Sequence, residues 1–179
     1  LSTFKMKILS WIKHWKARRD AVILNGVESS KPLYGRFFRK HSIPWEVDKK
    51  TLLAMPPGCL GYALGQFLKE EKLELMPKFE DHDVMHVLLN YPTTVADEVR
   101  MQCFLLGNGK KSAYALLAVV TGLLLMPEQW RTFREAYRRG RRSMPCHKWD
   151  FRYLLKEPLL VLQNQLSKCI LGEEAPVYY

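Results

Sequence analysis

Paired cysteines, a membrane-length apolar run and a balance of charge are all missing from this sequence, and each absence excludes something. The four cysteines, Cys59, Cys103, Cys146 and Cys169, are more than twenty residues apart. None has the close spacing of a zinc knuckle or a redox pair, so they are expected to be buried, reduced thiols of an intracellular protein. The longest uncharged apolar run, Ala113–Met126, has fourteen residues. About twenty are needed to cross a bilayer, so no transmembrane helix is expected. Position 1 is Leu rather than Met, which leaves targeting signals unreadable. Internal repeats are absent, and so are the alternating runs that would signal strands.

Acidic residues are also scarce: 18 against 28 Lys and Arg, for a formal charge of +10. What is present suffices for a core, since 47% of the 179 residues are hydrophobic and 12% aromatic. Disorder over most of the length is excluded, and the size predicts a single domain over residues 1–179. The charge is unevenly placed. Residues 1–50 carry twelve basic and four acidic side chains, residues 51–110 five and eight, and residues 111–179 eleven and six. Basic flanks suggest an anionic partner, and an acidic middle suggests a cation.

Apolar spacing of three and four residues recurs throughout, which predicts an all-α fold. Phe4, Ile8, Trp11, Ile12 and Trp15 form one stripe, with lysines and arginines opposite. Such a helix suits an anionic membrane surface, or equally a first helix docked on the domain. Breaks are expected at Asn25-Gly26, Ser29-Ser30, Pro44 and Pro56-Pro57-Gly58. Leu60, Leu64, Phe67 and Leu68 mark a core helix that ends before Pro77. Gly107-Asn108-Gly109 reads as a helix stop. Ala113–Met126 is apolar almost all round, hence buried or resting in lipid. Glu128–Arg139 and Trp149–Cys169 complete the helices, with Pro158 bending or starting the last one. No periodicity is seen from Gly172 to Tyr179.

The chemistry is concentrated between Phe79 and Leu106. On a helix, His86 and Asp83 lie about 40° and 100° around from His82, so two imidazoles and a carboxylate share one side. Pro92 ends that helix, and Thr93 or Thr94 can cap the next, with Asp97 and Glu98 in its first turn. His86 and Glu98 stand equally far from Pro92, so an antiparallel pair of helices would bring them to the same height. His82, Asp83, His86 and Glu98 are therefore candidate metal ligands, with Gln102 one turn beyond Glu98 as a supporting group. Nitrogen and oxygen donors suit zinc, and also iron or manganese. If Asp83 ligates, the protein closes the shell; if not, a position stays open for water or substrate. The same residues would also serve as an ordinary amphipathic helix, but Glu80, Asp81, Asp83, Asp97 and Glu98 gather acid in a basic chain. The H-E-x-x-H pattern of zinc proteases is close, but Asp83 stands in place of its Glu, which weakens a peptidase reading.

His82-Asp83-x-x-His86, followed after eleven residues by Glu98, resembles the signature of the Coq-four family of coenzyme Q (ubiquinone) biosynthesis proteins. Leu88-Leu89 and Pro92-Thr93 agree with it. So do Pro57-Gly58-Cys59-Leu60-Gly61-Tyr62, Phe67-Leu68, Gly140-Arg141-Arg142 and Glu157-Pro158-Leu159. The resemblance covers about residues 53–168 and leaves the basic residues 1–50 divergent. Asn90 and Asp97 stand where the family usually has Gly.

The resemblance implies an all-helical, membrane-associated protein holding zinc at His82, Asp83, His86 and Glu98. It implies an isoprenoid or quinone lipid as ligand and other quinone-biosynthesis enzymes as partners; a homodimer is a separate expectation. An activity follows as an expectation: decarboxylation and hydroxylation at C1 of a prenylated 4-hydroxybenzoate-type ring. A non-catalytic lipid-binding scaffold is the alternative. The expected location is cytoplasmic or at the inner face of a bacterial membrane, or the matrix side of the mitochondrial inner membrane in a eukaryote. Arg138, Arg139, Arg141 and Arg142 would then meet a membrane or another anionic group. Nucleic acid is the less favoured partner, because no recognised binding motif accompanies these arginines.

Overall fold

The computed structural model describes residues 6–7, 10–11, 13–23, 25 and 44–168. Contacts divide the chain into two units, Leu1–Lys40 and His41–Tyr179. In the first, residues 13–23 are helical, and the Arg19 guanidinium pairs with Asp20 at 3.0 Å while lying 5.3 Å from the Trp15 ring centroid. Phe4, Ile8 and Ile12 of the expected apolar stripe lie outside the described residues. So do the breaks at Gly26 and Ser29-Ser30, Cys169, and the tail from Gly172.

The described part of the second unit is all-α, with no strand. Its helices are α1 (Lys49–Leu53), α2 (Leu60–Glu70), α3 (Glu80–Leu89), α4 (Val95–Gly107), α5 (Ala113–Leu125), α6 (Trp130–Arg142), α7 (Phe151–Leu154) and α8 (Leu159–Lys168). Asp48, Cys59, Thr94, Ser112 and Asp150 each accept a backbone N–H of the helix they precede. Short side chains with an acceptor are favoured there because the first turn of a helix has N–H groups with no partner. At α2 the chain itself helps: Leu60 N donates to Glu157 O at 2.9 Å and Gly61 N to Leu155 O at 2.7 Å. Pro158 thus starts α8, its carbonyl accepting from Leu162 N at 3.2 Å, and the predicted long helix from Trp149 is two short ones.

Leu52, Leu60, Leu64, Leu68, Val84, Leu88, Met101, Phe104, Phe133 and Leu162 are among the core residues. Each such side chain withdrawn from water contributes about 1.5–3 kcal/mol. Helix α4 packs most extensively on α6, and the backbones nearly touch: a Cβ added to Gly140 would strike Phe104 O, and one on Gly107 would strike Tyr137 O. Beside this crossing Asn108 is buried. Its Nδ2 donates to the carbonyls of Gly140, Ser143 and Met144, the last at 2.6 Å, so the predicted helix stop is also the tie between the ends of α4 and α6.

The apolar stretch after Ser112 resolves differently. Only Ala115 and Gly122 of α5 are buried, whereas Leu116, Leu117, Val120, Leu123 and Leu124 are exposed. No described helix is long and apolar enough to cross a membrane; α5 and the segment that follows are bent by 106° at the break.

Candidate metal centre

Helix α3 begins with acids because a helix N-terminus attracts carboxylates, and Glu80, Asp81 and Asp83 fill its first turn. The buried Glu80 has its own role, accepting Trp45 N–H at 2.9 Å. One turn apart on the helix, His82 and His86 bring their Nε2 atoms to 3.3 Å, with ring planes at 81°. Phe67 of α2 lies nearly parallel to the His86 ring at 5.4 Å between centroids. The helix ends where Asn90 adopts the left-handed conformation, φ 57° and ψ 48°, which Asn tolerates better than most residues. That turn aims the Tyr91 carbonyl back at His86, whose Nδ1 lies 2.9 Å from it. The carbonyl can only accept, so Nδ1 carries the proton and Nε2 faces inward.

Helix α4 supplies the third group. Thr94 caps it, accepting from Asp97 N at 3.2 Å. Asp97 is itself engaged by Thr94 Oγ1 and by Arg100 Nη1, each at 2.6 Å. The neighbouring Glu98 turns the other way: Oε1 lies 3.0 Å from His86 Nε2, and Oε2 lies 3.5 Å from His82 Nε2. One donor atom from each of the three residues falls within 4.8 Å of the others. Around a tetrahedral ion with bonds of about 2.1 Å, ligand atoms stand roughly 3.4 Å apart. The observed separations fit that size without rearrangement, and two imidazoles with one carboxylate suit zinc or non-haem iron.

Electrostatics agree with a demand for positive charge. Burial lowers the His86 pKa, yet the hydrogen bond and charge of Glu98 outweigh it, so His86 lies above its ordinary 6.5. Burial likewise opposes ionisation of Glu98, but the two histidines hold its carboxyl down at about 2. Lone pairs directed at one point require a proton or a cation between them. His86 is only 2% exposed while His82 and Glu98 are near 30%, so the cluster is buried on one side and open on the other.

The structure thus brings together His82, His86 and Glu98 from the expected set. Asp83 lies outside that cluster, half-buried, though its charge helps raise His86. Gln102 is buried on α4 and, among the described residues, makes no hydrogen bond to the three. The group that meets the outer nitrogen of His86 is the Tyr91 carbonyl, which side-chain motifs do not reveal; the signal was the Asn90-Tyr91-Pro92 turn. All four arginines, Arg138, Arg139, Arg141 and Arg142, are exposed on α6. Arg139 lies against the domain, its guanidinium 5.5 Å from the Tyr91 ring centroid and 5.3 Å from that of Phe104.

Comparison with known proteins adds a structural likeness. A Nostoc punctiforme protein provisionally named as a ubiquinone biosynthesis protein has a similar crystal structure, with a TM-score of 0.55 and 20% sequence identity. The match covers 80% of this chain and 79% of that one. The likeness is one of fold. No family model and no curated protein matches the chain.

Proposed function

We propose that this is a divalent-metal-binding protein of ubiquinone or related isoprenoid-quinone biosynthesis, acting at a membrane surface on a prenylated aromatic precursor. The observation that carries the reading is the convergence of His82, His86 and Glu98, with His86 Nε2 held ready by the Tyr91 carbonyl. The H-D-x-x-H-(x11)-E signature and the fold likeness point the same way. When bound, zinc or another divalent ion supplies a Lewis acid with coordination positions left for substrate or water. His82 and His86 would hold it through Nε2, and Glu98 would compensate its charge. Phe67 excludes water from the inner face of the His86 ring. A carboxylated ring would reach the cluster from the side where His82 and Glu98 meet solvent. Oxidative decarboxylation at C1, in which the carboxylate leaves as CO2 and dioxygen is both the oxidant and the source of the hydroxyl oxygen, is the activity this reading favours; it would call for a redox-active divalent ion such as iron.

The membrane part rests on α5. Its exposed leucines, Leu117 at 65% and Leu124 at 74%, lead through the bend to α6, which carries exposed Arg131, Arg134 and Arg138. An apolar face beside fixed positive charge complements an anionic bilayer. The same face also favours a second reading, a lipid-binding scaffold whose metal only holds α3 to α4.

Three measurements test these readings. Elemental analysis of purified protein is expected to find about one zinc or other divalent ion per chain; none in the wild type would sink the metal reading. A quinone-deficient strain carrying Glu98→Ala is expected to accumulate the carboxylated precursor at normal protein levels. Full complementation by that variant would leave the scaffold reading standing. Co-flotation with phosphatidylglycerol vesicles, abolished by Leu117→Glu with Leu124→Glu, tests the bilayer; a dimer lost in the same variant would assign the face to a second copy.

A further inference from the structure

The last turn of α3 is held from two other helices. A helix C-terminus leaves carbonyls without partners. Here Gln163 Nε2 of α8 donates to Leu88 O at 3.3 Å, and Arg139 Nη2 of α6 donates to Leu89 O at 3.2 Å. The Arg139 guanidinium also lies over the Tyr91 ring, while Arg100 of α4 lies 5.4 Å from the same ring centroid. Tyr91 N in turn donates to His86 O at 3.0 Å, so residues 86 and 91 are bonded in both directions. The origin of Arg139 is fixed because its neighbour Gly140 seats α6 directly on Phe104 of α4, the helix that carries Glu98.

From this geometry we infer that Arg139 is a positioning residue of the candidate metal centre: it clamps the Leu89–Tyr91 turn so that the Tyr91 carbonyl keeps His86 Nε2 directed at Glu98. The guanidinium does two things at once, donating to a carbonyl and lying on an aromatic face. Its planar fork allows both, whereas a lysine ammonium supplies only a point charge. The inference goes deeper into the proposed metal site and rests on it for its effect on metal affinity.

Two readouts separate it from that reading. Long-range ¹⁵N–¹H NMR of metal-free protein at pH 8 is expected to show the His86 proton on Nδ1 in the wild type and a mixture of tautomers in Arg139→Ala. Zinc titration calorimetry is expected to show affinity falling about 10- to 100-fold in Arg139→Ala, the range for groups that orient a ligand. Arg138→Ala, an exposed change on the same helix, is expected to match the wild type in both. A folded Arg139→Ala with unchanged tautomer and zinc affinity overturns the inference. Should that variant not fold, Arg139→Lys decides in its place, with at least fivefold weaker zinc binding expected and wild-type affinity overturning it. If the wild type binds no zinc, the metal reading fails while the tautomer still decides the role of Arg139.

Discussion

Helices α3 and α5 invert each other's logic. In α3 a histidine, His86, is 2% exposed at its side chain, while in α5 Leu124 is 74% exposed. A fold chosen for stability alone would do the reverse, since burying a leucine gains about 1.5–3 kcal/mol and burying a polar ring demands a partner. The histidine has its partners, the Tyr91 carbonyl on one nitrogen and Glu98 on the other. Leu116, Leu117, Leu123 and Leu124 of α5 instead stay exposed among the described residues. A partnered polar group inside and an apolar face outside are the two features by which candidate binding sites are recognised.

The largest expected effect is on the polar side of this contrast. Glu98→Ala removes the carboxylate that faces both histidines, so zinc affinity should fall by more than the roughly 10- to 100-fold typical of outer groups. Calorimetry checks this, and wild-type binding would show that the three residues do not form one site. Next comes stability. Leu88→Ala in α3 should cost about 2–5 kcal/mol in urea unfolding, because it opens a cavity at a fully buried position. Leu124→Ala in α5 should change stability by less than about 0.5 kcal/mol and weaken partition into anionic vesicles about tenfold. Equal costs at the two positions would mean that α5 is covered by the protein itself. A smaller loss, about 1 kcal/mol, is expected for Thr94→Ala, which removes the cap of α4.

Much of this was legible in the sequence because it depends on local rules. Proline, Asn and Thr at positions 90–94 give the turn between α3 and α4, and equal distances from Pro92 place His86 opposite Glu98. The acidic cluster was legible as composition but not as function. Glu80 serves Trp45 N–H and Asp97 serves Thr94 and Arg100; only Glu98 joins the histidines. Spacing along one helix cannot tell Asp83 from His82, since which side chain reaches the partner helix depends on how the two cross. Arg139 was read with its neighbours as a membrane or anionic-group contact; that its guanidinium also reaches Leu89 O was not legible, because nothing local shows that Gly140 seats α6 against α4. Asn108 looked like a stop signal for the same reason: its carbonyl partners lie more than thirty residues away.

The smallest effect expected is one of pH, and it sharpens the contrast from within α3. Without metal, the His86–Glu98 pair is a stabilising contact with two limits. The Glu98 carboxyl is held at about 2 against an ordinary 4.5, so its contribution is present above 4.5 and is lost as pH falls toward 2. His86 is raised above 6.5, so its contribution is complete below 6.5 and is lost as pH rises through the folded value. The metal-free protein should therefore gain most from this pair between pH 4.5 and 6.5. A metal ion needs the same nitrogen without its proton, so its stabilisation grows as that of the pair declines. Thermal unfolding with and without zinc should show a small metal-induced rise in Tm at pH 5.5 and a larger one at pH 8. His86→Gln should remove the difference between the two pH values, whereas Leu124→Ala should leave it intact. An equal rise at both values would place the zinc away from His86.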